Sequence, residues 1–174
     1  MDKVIPGLIL AALVLLIFTV MWRSWRRRSS VDAEHGVTAI PSSFSPTAEF
    51  DVQYVATTRA GEPLERLALP GLAFRGTGRL QMAPSGIALG VDGEQPVFVP
   101  GSALRNVDTS NVVIDRVVEP GGLVRISWTL ADGTLCDSYV RLREPSNQPT
   151  MCAAISNLIQ NVRDHSDRES ESNA

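Results

Sequence analysis

The sequence predicts a mainly β domain, a small pleated barrel or sandwich closed by one C-terminal amphipathic helix and preceded by one N-terminal membrane-spanning helix. Three observations carry this. Residues 4–22 form an uncharged apolar run. Between Phe44 and Arg163, turn signals recur every 7–20 residues: Pro70-Gly71, Pro84-Ser85-Gly86, Asp92-Gly93, Pro100-Gly101, Pro120-Gly121-Gly122 and Asp132-Gly133. Short segments rich in Val, Ile, Leu and aromatics between such signals read as strands. Last, Met151, Cys152, Ile155, Leu158, Ile159 and Val162 repeat at helical spacing and make one apolar stripe.

The N-terminal run covers 19 residues, 12 of them Leu, Ile, Val or Phe. As a helix it is about 28 Å long, close to the ~30 Å of a bilayer's hydrocarbon core. Trp22 and Trp25 suit the membrane interface, and Arg23, Arg26, Arg27 and Arg28 follow the run while only Lys3 precedes it. A cleavable signal peptide is disfavoured, because "MWRSWRRR" offers no small-residue cleavage site. The positive-inside rule then puts the N-terminus outside and everything after the Arg cluster in the cytoplasm of a single-pass cell-membrane protein. Residues 23–46 read as an Arg-rich flank and flexible linker, 47–163 as the β domain with its helix, and 164–174 as a disordered polar tail.

Within the domain the expected strands are Glu49–Thr57, Gly71–Arg75, Arg79–Ala83, Ile87–Val91, Pro96–Val99, Asn111–Val118, Leu123–Leu130 and Thr134–Leu142. Alternation in the first puts Phe50, Val52, Tyr54 and Ala56 on one face. Gly101 to Val107 reads as a short helical turn. Asn147 is placed to cap the final helix, with Pro149 in its first turn. The last hairpin has two possible registers. A two-residue turn sets Trp128 against Asp137, whereas the three-residue loop Ala131-Asp132-Gly133 pairs Trp128 with Cys136, Ile126 with Ser138 and Val124 with Val140. Burial favours the second. It requires a left-handed Gly133, a buried Trp128 and an exposed Asp137.

Composition narrows the chemistry. Residues 1–30 sum to +4, and the whole chain to −3, so the remainder carries −7. A soluble part of that sign is not drawn to nucleic acid. Lys3 is the only lysine. The two histidines, His35 and His165, fall in the expected linker and tail, which leaves the folded domain without a histidine base or metal ligand. Cys136 and Cys152 match no zinc spacing and read as small core residues. "GTG" at 76–78 lacks the third glycine and the helix of a dinucleotide loop, and no G-K-[ST] or G-x-S-x-G occurs. The expectation is a protein with no catalytic residues, cofactor or metal.

Strands followed by one amphipathic helix is the chain order of a pleckstrin-homology-like domain. "YVATT" at 54–58, "GEPLERL" at 61–67, "PGLAFRGTGRL" at 70–80, "SGIALG" at 85–90 and "EPGGLVRISWTLADG" at 119–133 resemble the actinobacterial membrane-anchored pleckstrin-homology-like family, over nearly the whole chain. The resemblance implies the fold but no assigned chemistry. Lipid-binding members of the wider superfamily hold inositol phosphates with basic residues around the first two strands. Here lysine is missing and the arginines are interspersed with Glu62 and Glu65, so that activity does not carry over. Arg66, Arg75 and Arg79 form the one candidate ligand patch. The expected role is a membrane-tethered interaction or scaffold module for an unidentified protein partner; the alternatives are a lipid-surface sensor and an accessory subunit of a transporter or other membrane complex.

Overall fold

The computed structural model describes residues 12–23, 37–110, 112–113, 116–117 and 122–172. Residues 12–23 are helical (α1), and their large apolar side chains stand exposed, among them Leu15, Phe18 and Trp22. Among the described residues no helix is long and apolar enough to cross a membrane. The 4–22 segment expected to do so begins outside them, and Trp25, Arg26, Arg27 and Arg28 also lie outside. Trp22 and Arg23, the last described residues of α1, are both exposed.

Among the described residues ten strands follow: β1 (Ala48–Arg59), β2 (Glu62–Arg66), β3 (Gly76–Ala83), β4 (Gly86–Val91), β5 (Val97–Pro100), β6 (Leu104–Ser110), β7 (Val112–Val113), β8 (Arg116–Val117), β9 (Leu123–Thr129) and β10 (Leu135–Leu142). The helix α2 (Gln148–Ser172) ends the described chain. All the sheet pairings are antiparallel. Eight strands make one sheet in the order β5-β4-β3-β1-β10-β9-β6, with β2 pairing β1 off this path. The sheet stays open, which corrects the barrel expectation. Its two edge strands, β5 and β6, are joined by a single 3-10 turn at Gly101–Ala103 and do not bond to each other. α2 packs against that turn and against β6, so a helix occupies the position where closure would need strand pairing.

The core lies inside this curved sheet and beneath α2. Val52, Tyr54, Leu80, Val124, Val140, Met151 and Ile155 are fully buried in it. Each large apolar side chain so buried contributes about 1.5–3 kcal/mol relative to exposure. The segment Leu67–Arg75, expected to include a strand, is a loop instead. Its Leu67, Leu69 and Leu72 plug the core, and the Tyr54 hydroxyl donates to the Leu72 carbonyl at 2.9 Å. Pro70-Gly71 in its middle turns the chain, with Gly71 at φ +80°, and the strand before it, β2, runs over Glu62–Arg66.

Other boundaries moved as well. The helical turn expected over Gly101–Val107 is only three residues long before β6 starts. Of the strand expected over Asn111–Val118, the described residues form two paired strands of two residues each, β7 and β8. Asn147 does not cap α2. It sits in a 3-10 turn, and its amide donates to the Glu144 carboxylate at 3.0 Å. α2 continues to Ser172, through the segment expected to be disordered, because no Pro or Gly interrupts it after Pro149. The segment 37–46, expected to be flexible linker, lies against the domain: Phe98 donates its amide to the Thr38 carbonyl at 2.9 Å, and the Phe44 and Phe98 rings meet edge to face at 5.5 Å.

The β9–β10 hairpin takes the register that burial selects. Trp128 faces Cys136, Ile126 faces Ser138, Val124 faces Val140 and Arg125 faces Tyr139. Leu130 and Thr134 close the loop, Gly133 has φ +87°, and Trp128 is buried. Asp137, however, is only 4% exposed rather than solvent-facing. Two features explain this. A bulge between Tyr54 and Ala56 inserts one residue into β1, which moves Ala56 off the Phe50–Tyr54 face and sets it opposite Tyr139. Ala56, Leu123 and Tyr139 thereby form a second small buried cluster on the outer face. The β7–β8 hairpin, inserted between β6 and β9, touches β2. Asp137, on the outer face, accepts from the Ser127 hydroxyl at 2.6 Å.

Candidate functional site

The three candidate arginines do not converge on one pocket. Arg66 ends β2 opposite Thr58, Arg75 lies in the loop before β3, and Arg79 stands on β3 opposite Asp51. All three are exposed. Arg79 is paired with Glu49 at 3.4 Å, and Glu49 also accepts from Gln81 at 2.6 Å, so its charge is locally answered. Among the described residues Arg66 and Arg75 form no salt bridge, whereas Arg59 beside them pairs with Glu65 at 3.7 Å. Each of the two unbridged arginines has an apolar side chain close by in sequence: Leu64 is 70% exposed and Phe74 59%. With Leu135, also exposed, they belong to the end of the sheet where β1 finishes and β3 and β10 begin. Charge counting had marked the arginines; the apolar neighbours in "PLER" and "AFR" were the missed signal.

Beneath that end runs a buried polar network. The Thr57 and Ser138 hydroxyls lie 2.7 Å apart, Trp128 Nε1 donates to Ser138 Oγ at 2.9 Å, and the Tyr54 hydroxyl, whose one proton goes to the Leu72 carbonyl, lies 3.0 Å from Thr57 Oγ1 and accepts from it. Burial pushes the Tyr54 phenol up to about 12, and the thiol of Cys136 is raised by burial too. Neither is primed for nucleophilic or acid–base work near neutral pH. On the outer face Ser127 donates to Asp137 at 2.6 Å, and Arg125 forms a two-pronged ion pair with Asp108 that holds its guanidinium charged. These groups answer one another, as a structural network does.

Among the described residues no cluster of three His, Cys, Asp or Glu side chains could hold a metal ion. The clefts are open and small. One of about 330 Å³ lies over β3 and β4, bounded by Arg79, Gln81 and Glu94. Another of about 300 Å³ lies between the start of β6 and α2, floored by Leu104, Ile159 and Val162 and rimmed by Arg105 and Arg163. Arg163 reaches across it to donate to the Arg105 carbonyl at 3.0 Å.

No curated protein matches the chain. Among solved structures, a chain of "The 8S snRNP Assembly Intermediate" aligns at 8% identity with a TM-score of 0.48, over 71% of this chain and 89% of that one. "The pleckstrin homology (PH) domain of USP37" aligns at 12% identity with a TM-score of 0.37, over 63% and 97%. The family model "Bacterial PH domain-like" matches residues 35–156, which run from just before the Thr38 bridge into α2. The chain belongs to the bacterial PH domain-like family.

Proposed function

We propose that this protein is a membrane-tethered interaction module with no catalytic activity of its own, its PH-like domain held at the cytoplasmic face of the cell membrane by residues 4–22. The observation that carries the reading is the pairing of that 19-residue apolar run and its trailing arginines with a PH-like domain in which Thr57, Ser138 and Trp128, and likewise Ser127 and Asp137, bond to one another. The partner is a protein rather than nucleic acid, because Phe44 to Arg163 holds ten Arg against twelve Asp and Glu. Chemical crosslinking in native membranes tests it. Recovery of a defined protein partner supports the module, and recovery of lipid alone refutes it. Topology is tested separately with a reporter active only outside the cytoplasm, fused after Ala174. The reporter stays silent on this reading, and replacing Arg23, Arg26, Arg27 and Arg28 together gives mixed orientation.

A second reading, a lipid-surface sensor, draws support from the exposed Leu64 and Phe74 beside the unbridged Arg66 and Arg75. Each arginine near an anionic surface contributes only about 1 kcal/mol, and the acids of the domain oppose it. Sedimentation of the protein's domain with anionic vesicles at physiological salt, abolished by Arg66→Ala with Arg75→Ala, would favour this alternative.

A further inference from the structure

Two glycines of the β3–β4 pair differ in what holds them as glycine. At Gly78 a Cβ would collide with the Gly90 carbonyl, so close strand approach accounts for it. At Gly90 the φ is not positive, and a Cβ would meet only Pro96 Cβ at 3.5 Å and the Arg79 carbonyl at 4.0 Å, ordinary contacts. Neither the backbone nor the packing requires glycine there. Glycine inside a strand weakens it, and it often marks a place where another molecule approaches the backbone. Here the missing side chain opens the cleft of about 330 Å³ on the outer face of the sheet. Ala88 and Gly90 of β4 form its floor. Arg79 and Gln81 stand on the β3 side, and Pro96 stands on the β5 side with Ile40 from the segment that Thr38 bridges to Phe98. The Asp92-Gly93-Glu94 turn closes the end where β4 stops. Arg79 is answered by Glu49 at 3.4 Å. Asp92 accepts from the Thr77 hydroxyl at 2.7 Å, but among the described residues neither Asp92 nor Glu94 forms an ion pair. The unanswered charge of the cleft is therefore negative.

We propose that this cleft receives an arginine side chain from a basic segment of the partner protein, its stem lying over Gly90 and its guanidinium meeting Glu94 and Asp92. The inference rests on the interaction-module reading and names the chemistry of the partner. An arginine suits both parts of the cleft. Its aliphatic stem covers apolar surface, here Ala88 and Gly90 between Ile40 and Pro96, while its charged head stays at the wet end. Its planar fork of donors matches carboxylates, which a compact ammonium does less well. The sign holds beyond the cleft as well. Everything after residue 30 sums to −7, so a basic segment is drawn towards the domain before it docks.

The test uses the full chain in phosphatidylcholine nanodiscs, whose lipid carries no net charge, with two fluorescent probes. One is Ac-Gly-Val-Arg-Val-Gly-NH2, and the other carries citrulline in place of arginine, which keeps the shape and removes the charge. Anisotropy should show saturable binding of the arginine peptide, with the citrulline peptide weaker by about tenfold or more. Gly90→Val fills the recess and should abolish binding. Asp92→Asn with Glu94→Gln should reduce the arginine peptide to the level of the citrulline one. Glu144→Gln with Asp164→Asn makes the same charge change away from the cleft and should leave binding as it was. Circular dichroism of each variant verifies the fold, and Gly90→Ala, which should weaken binding, replaces the valine variant if that one unfolds. Absence of binding, equal affinity for the two peptides, or full affinity in the Gly90 variants overturns the proposal. So does an equal loss in the Glu144 and Asp164 variant, which would mean general charge attraction, and so does burial of the cleft by a second copy of the chain. An Asp92→Asn, Glu94→Gln protein that still captures its crosslinked partner in native membranes leaves the module reading intact and removes only this cleft.

Discussion

Gly133 shows how a single residue settles a register. Its φ of +87° is open to glycine, and a Cβ added there would meet nothing within 4 Å, so any penalty for a side chain is backbone strain alone. Gly133→Val should therefore destabilise the domain by about 1 kcal/mol or more, with Gly133→Asn costing clearly less; urea unfolding midpoints measure both. Tyr54 gives a pH prediction. Its phenol is raised from 10.0 to about 12 in the fold. A group raised on folding contributes stability that is fully present below its unfolded value and lost as pH climbs through the folded one. Stability should thus fall by up to about 2–3 kcal/mol between pH 10 and 12, and Tyr54→Phe should flatten that fall. The same substitution strips the Leu72 carbonyl of its donor, costing on the order of 1 kcal/mol at neutral pH. Asp137 is the residue the sequence misplaced. Period-two alternation correctly separated it from Trp128, but it cannot reveal that the outer face at this position is buried rather than solvated.

Among the elements, those with strong local signals were legible. β1, β3, β4, β9, β10 and the start of α2 fall within a few residues of their expected places, since alternation, turn glycines and a helical stripe are encoded locally. β2, the Leu67–Arg75 loop and β6 were not. Their state depends on which long-range partner they meet: Leu69 and Leu72 plug a core formed by distant strands, and β6 exists because β9 pairs with it. β3 and β4 approach closely at Gly78, where a Cβ would stand within bonding range of the Gly90 carbonyl. Gly78→Ala should separate the two strands and cost about 2 kcal/mol or more, seen as a lowered melting temperature with faster amide exchange in β4. The last turns of α2 hold Asp164, Asp167, Glu169 and Glu171, acids at the end where the helix dipole disfavours them. Glu169→Lys with Glu171→Lys should raise helicity at 222 nm by a few per cent, and amides after 164 should exchange faster than those near Ile155.

At the level of the molecule, the open sheet, the helix at its seam and the family membership agree with the chain order read from sequence, whereas closure did not occur. The candidate arginines were legible as residues but not as a site. Spacing in sequence does not say that Arg79 would be neutralised by Glu49, nor that Arg105 and Arg163, separated by most of the domain, would share one rim. Anionic vesicles offer a check at this scale. With Phe44 to Arg163 two charges negative, the domain should show no sedimentation above background at physiological salt, and adding Glu49→Gln should increase it slightly by freeing Arg79.

The Thr38 bridge ties the chain to the sheet only 15 residues after Arg23, and on the tethered reading that sets a local concentration. From Arg23, the last described residue of α1, to Val37 covalent geometry limits the span to at most roughly 45–50 Å. On the tethered reading, the domain is confined to a half-sphere of about that radius above one patch of bilayer, equivalent to on the order of 10 mM. A partner anchored in the same patch with a dissociation constant near 1 mM would then be about nine-tenths occupied, though the two proteins would scarcely associate if both were free in solution.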